Sequence, residues 1–109
     1  MSMYVGFLSD TVHAWPEHST GEALVDRAVA ARVDMLSAAH RRNCSAYELL
    51  AAQIAYDLSL ILLCGDLGIP TDAARFADPL TERARIERLL LESWGLDLWA
   101  LSRARCRTR

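Results

Sequence analysis

Residues 45–65, SAYELLAAQIAYDLSLILLCG, decide how this chain folds. Ser45 precedes an apolar run and Glu48 lies three positions on, which is the spacing of a capping box. From 46 to 64 the polar side chains are Glu48, Gln53, Asp57 and Ser59. On a helical wheel Gln53 and Asp57 fall together, with Glu48 and Ser59 away from them. A helix this apolar all round either spans a membrane or forms the centre of a bundle. Two carboxylates and a glutamine in one run argue against a span. The expectation is the central helix of a soluble protein, stopped by Gly65 as its C′ glycine.

A carboxylate inside such a helix needs a partner or an upward pKa shift. Gln53 and Asp57 therefore read as a buried polar pair, with Arg27 or Arg32 on the preceding antiparallel helix as the partner of Asp57. Structurally this is an ion pair that fixes helix register. Functionally it is a polar spot in an interface or pocket.

Working upstream, residues 19–42 repeat the helix signal. Ser19 and Glu22 form a second capping box, and Leu24, Ala28, Ala31 and Met35 form an apolar row. Val25, Val29 and Leu36 lie beside that row, and Arg41 and Arg42 suit the C-terminal end of the dipole. Residues 1–18 are an N-terminal arm or short helix. Tyr4, Leu8, Val12 and Trp15 keep helical spacing, Gly6 weakens it, and Pro16 ends the segment.

Downstream, Thr71 opens a short helix to Ala77. Asp78 caps the next helix, with Pro79 in its first position and Gly95 stopping it after Trp94. Asp97 caps a last turn or two to about residue 103, and residues 103–109 form a basic tail. The expected fold is all-α, a single domain of four to five helices packed around the central apolar one.

Ala and Leu number 17 each among 109 residues, and all 12 basic residues are Arg, which fits a GC-rich bacterial genome. Residues 1–99 carry eight Arg against fourteen acids, a net of −6, whereas residues 100–109 carry four Arg and no acid. An acidic body opposes broad nucleic-acid binding. Three cysteines without a CxxC pair, and an N-terminus MSMYVGFLSD without a basic n-region, point to a reducing cytoplasm.

Four constellations bear on function. Residues 62–77, LLCGDLGIPTDAARFA, resemble a degenerate helix-turn-helix in the placing of Cys64, Gly68, Ile69, Ala74 and Ala77, with Arg75 facing outward to a base edge. Asp72 and Asp78 would meet phosphates there, and Pro79 leaves the reading helix barely two turns. His13, His18, His40 and the cysteines lack the spacing of a metal module, so no metal and no cofactor is expected. Cys64 with His40 is the one nucleophile–base pairing that neighbouring helices could assemble. The apolar run around Cys64 favours a core thiol instead. There is no Gly-rich phosphate loop, no GxSxG and no pair of catalytic carboxylates.

The fourth constellation is LLLESWGLDLWALSRARCRTR, residues 89–109. Six Leu and two Trp fall within 89–101, and three adjacent leucines on one helix cannot all face inward. Trp and Arg are the residues enriched at interface hot spots. The expectation is a non-enzymatic interaction module, a homodimer or the small partner of another protein. It would bury Leu90, Trp94, Leu98 and Trp99, with Arg103 and Arg105 setting orientation. A DNA-binding regulator reading through Arg75 is the alternative.

Overall fold

The first two long helices fold back on each other because a short polar loop joins them. In the computed structural model, which describes residues 3–14 and 21–107, α2 (Gly21–His40) and α3 (Ala46–Leu67) form an antiparallel hairpin. Gly21 lies against Asp66 in the last turn of α3, where a Cβ on Gly21 would sit 2.8 Å from the Asp66 Oδ2 atom. The remaining elements are α1 (Met3–Ala14), a 3₁₀ turn (Ala73–Ala77), α4 (Pro79–Trp94) and α5 (Leu98–Arg107). Among the described residues there is no strand. α1 packs on α3 and the 3₁₀ turn, α4 on those same two elements, and α5 on α2. Leu60, Leu63, Cys64, Phe76, Ile86 and Leu90 are fully buried where these elements meet.

The caps explain most of the boundaries. Ser45 Oγ accepts the Glu48 N–H at 3.0 Å and opens α3. The Glu48 carboxylate does not return the bond; it pairs with Arg41 at 3.4 Å. Gly65 does not stop this helix. Gly68 does, at φ 75, with the Ile69 N–H donating to the Cys64 carbonyl at 2.9 Å. Only the left-handed position demands glycine, so Gly65 is carried inside the last turn while Leu67 packs on the core. Asp72, and not Thr71, opens the short element, accepting the Arg75 N–H at 3.2 Å. Asp78, Gly95 (φ 63) and Asp97 act as the sequence indicates. α5 runs on to Arg107, so Arg103 and Arg105 are helical and not part of a tail. Ser19, Trp15, Pro16 and His18 lie outside the described residues.

α3 is the one described helix long and apolar enough to cross a membrane. In this fold it is contacted by α1, α2 and α4. Its buried Ser59 hydroxyl is satisfied by donating to the Tyr56 carbonyl at 2.6 Å.

Glu82 ties α4 to the segment before it. Its carboxylate accepts the Thr71 hydroxyl at 2.6 Å and both Arg85 Nε and Nη2, at 2.8 and 2.6 Å. Arg85 also donates to the Pro70 carbonyl at 3.0 Å. The Arg85 hydrogen bonds hold the Glu82 carboxyl below its ordinary value, against the opposing effect of burial. A lowered folded-state pKa adds stability above the unfolded value, near 4.3, and that contribution disappears as pH falls through the folded value. Wild type should therefore outlast Glu82→Gln in urea at pH 6, and the gap should narrow at pH 3. A gap that stays constant across this range would remove the assigned role.

Candidate functional site

α4 presents one seam to the core and one flank to solvent at its C-terminal end. Arg83, Ile86 and Leu90 lie along the seam and are buried, and Trp94, next at helical spacing, projects past the core with 54% of its surface exposed. Leu91, three residues before Trp94 on the adjoining flank, is 48% exposed. Gly95 then reverses the chain and α5 begins. Leu98 and Ser102 face inward, and Trp99, on the flank, is again 54% exposed.

Trp99 is not loose. Its ring lies over the Arg32 guanidinium, 4.1 Å from carbon to centroid. Arg32 is itself buried and donates from Nε to Glu87 Oε2 at 3.2 Å. The Tyr56 hydroxyl donates to the same oxygen at 2.5 Å. Burial first, and then the Glu87 charge, push the Tyr56 phenol well above its ordinary pKa, so it stays a donor. This chain of contacts runs from α3 through α4 and α2 to α5, and it links the Trp99 ring, through Arg32, to Glu87 of α4. Leu101 belongs to the other flank of α5, about 160° from Trp99 at 100° per residue.

Two of the residues expected to meet a partner do not lie at the surface. Leu90 is fully buried and Leu98 is 1% exposed, so both are core and unavailable to a partner. They fall on the inward side because the 3.6-residue period aligns Leu90 with Ile86 and Leu98 with Ser102. Trp94 and Trp99 remain at the surface, and Leu91 joins them. Arg103, one turn beyond Trp99, is exposed. Arg105 is exposed and donates to the Asp26 backbone carbonyl at 3.3 Å.

Asp57 is fully buried, as its place on the wheel requires, but its partner is neither Arg27 nor Arg32. Arg83 of α4 grips it with two bonds, Nε to Oδ1 at 2.5 Å and Nη2 to Oδ2 at 2.8 Å. The Tyr4 hydroxyl of α1 donates to Oδ2 and receives Arg83 Nη2 at 3.3 Å. Burial pushes the Asp57 carboxyl above the usual range, while the bonds from Arg83 and Tyr4 pull it back. Gln53 is only partly buried and stands outside this network. Among the described residues no buried side-chain polar atom lacks a hydrogen-bond partner. The network is saturated and closed on itself, and it joins α1, α3 and α4.

The sequence carried a signal for these partners. Arg83 and Glu87 sit at helical spacing from Ile86 and Leu90, so two charges share the apolar face of α4. A charge on a core-facing stripe implies a buried counter-charge.

The remaining constellations separate in space. Residues 73–77 form a 3₁₀ turn of five residues whose Phe76 is fully buried, so no second helix of a helix-turn-helix stands there. Arg75 is exposed beside Asp72 and Asp78. Cys64 is buried, and desolvation pushes its thiol up to about 11, away from thiolate chemistry. His40 is exposed at the opposite end of the hairpin, on the order of 30 Å away by helical rise, so the pair does not assemble. Among the described residues no three His, Cys, Asp or Glu side chains converge on a common point. Comparison with protein-family models, curated proteins and solved structures gives no match for this chain.

Proposed function

We propose that this protein is a non-enzymatic interaction module that binds another protein through the surface formed by Leu91, Trp94 and Trp99. One observation carries the reading. Two tryptophans flank a single reverse turn, each more than half exposed, with Trp99 held in place by Arg32. Large rigid aromatic rings presented at low conformational cost are the usual anchors of protein interfaces. The three cysteines, unpaired among the described residues, suit a reducing compartment, where we place the module.

Trp94→Ala with Trp99→Ala tests this. The double variant should retain helical circular dichroism and cooperative unfolding. Its affinity for whatever wild type captures in stoichiometric amount from nuclease-treated cytoplasm should fall about 30-fold or more, as for loss of roughly 2 kcal/mol of anchoring. Undiminished capture by a folded double variant, with self-association also unchanged, would sink the reading.

A further inference from the structure

We propose that α5 is a hinged strap, latched by Trp99 over Arg32, that opens as one unit ahead of the rest of the fold and whose closure brings Trp99 into the candidate surface. The consequence for binding rests on the interaction reading above; the strap itself does not.

α5 runs for 10 residues. An isolated helix shorter than about 12–15 residues is marginal in water, so this one depends on docking. It docks chiefly on α2. From 98 to 106, Leu98 and Ser102 are buried and the other side chains are exposed. The Ser102 hydroxyl donates to the Leu98 carbonyl at 2.6 Å, a bond internal to α5. Across to α2 reach the Trp99 ring, 4.1 Å from the Arg32 guanidinium, and Arg105, which donates to the Asp26 carbonyl at 3.3 Å. An element that buries so little apolar surface opens at lower free energy than the core.

The joint suits such an opening. α4 is closed without help from α5. The Gly95 N–H donates to the Leu91 carbonyl at 3.0 Å and the Leu96 N–H to the Leu90 carbonyl at 3.1 Å, and Leu96 packs against the core. α5 carries its own cap, Asp97, which accepts the Ala100 N–H at 3.1 Å. One helix ends and the next begins with separate hydrogen bonds. The chain can therefore turn between Leu96 and Asp97 without breaking the cap of α4.

The latch is the ring on the guanidinium. Arg32 is buried with its Nε on Glu87, and a desolvated cation is drawn strongly to an aromatic face. Lifting α5 takes the ring away and leaves the Arg32–Glu87 bond between α2 and α4 in place. It also separates Trp99 from Trp94, which stays on α4. A partner that spans both tryptophans binds the closed strap and holds it shut.

Hydrogen exchange of the full chain, read by NMR where exchange follows the opening equilibrium, tests this. The amides of Ser102, Arg103, Ala104 and Arg105 should share one opening equilibrium. Corrected for intrinsic rates, they should exchange at least about a hundredfold faster than those of Leu60, Ile61 and Leu63 in α3. Trp99→Leu weakens a contact that both the open strap and the unfolded chain lack, so it should speed both groups by the same factor, about tenfold. Phe76→Leu weakens a contact that the open strap keeps, so it should speed the α3 group and leave the α5 group unchanged. Equal exchange of the two groups in wild type overturns the proposal. So does Phe76→Leu speeding both alike, because α5 then opens only with the whole fold. An α5 group that Trp99→Leu leaves unchanged overturns the latch. No partner enters these measurements, so a rigid α5 removes the strap and leaves the surface to the capture experiment. Failed capture with the expected exchange pattern removes the surface and keeps the strap.

Discussion

Arg83→Ala is expected to lower the unfolding free energy by about 3–5 kcal/mol at neutral pH, because it leaves a carboxylate alone in the core. Asp57 is fully buried, and Arg83 supplies two of the donors it receives. In the variant only the Tyr4 hydroxyl remains of these partners. Burial already raises the Asp57 carboxyl, and removing the guanidinium raises it further. A group whose folded-state pKa is raised contributes stability below its unfolded value and loses it as pH climbs. The deficit of Arg83→Ala should therefore be largest near pH 7 and shrink toward pH 4. Replacing both partners by apolar residues of similar volume, Asp57→Leu with Arg83→Met, should recover much of the loss, since no buried charge is then stranded. Urea unfolding across pH checks all three statements. A loss below about 1 kcal/mol, as for an exposed pair, would mean that water reaches Asp57 and that the closed network does not exist in solution.

Phe76→Ala should cost about 3–5 kcal/mol, the usual range for deleting a fully buried ring. Phe76 sits on a 3₁₀ turn of five residues, an element with almost no stability of its own. Its buried side chain fastens that turn, which packs on α1 and α4, into the core. Phe76→Leu keeps much of the volume and should cost far less. The comparison also bears on the DNA reading. A recognition element must lie on the surface, and a turn anchored by a buried ring is committed to the core. Near-equal stability of Phe76→Ala and wild type would show residues 73–77 to be detached, and would reopen Arg75 as a base-reading side chain.

The legible parts of this fold were those set by local chemistry. The apolar circumference of residues 46–64 marked the central helix, and Ser45, Asp78, Gly95 and Asp97 marked ends through hydrogen bonds spanning only a few residues. The C-terminal end of α3 was misplaced because two glycines compete, and only the packing of Leu67 selects Gly68 over Gly65. At the candidate site, the excess of Leu and Trp over what a small core can bury was visible from residues 89–101. Which of them remained outside was not, because Leu90 and Leu91 differ only in rotation about one helix axis.

Sequence alone determined that this chain is all-helical, that one helix is its core, and that Asp57 needs a buried partner. Each follows from periodicity, capping or the penalty on an unpaired charge, all of which act over a few residues or on one side chain. Tertiary structure alone decided that the partner is Arg83, 26 positions away, that Arg32 serves Glu87 and Trp99, and that Leu90 and Leu98 are core while Trp94 and Trp99 are surface. Those outcomes depend on how α2, α4 and α5 are rotated against α3. That rotation is fixed by the whole set of contacts at once, and no single stretch of the chain encodes it.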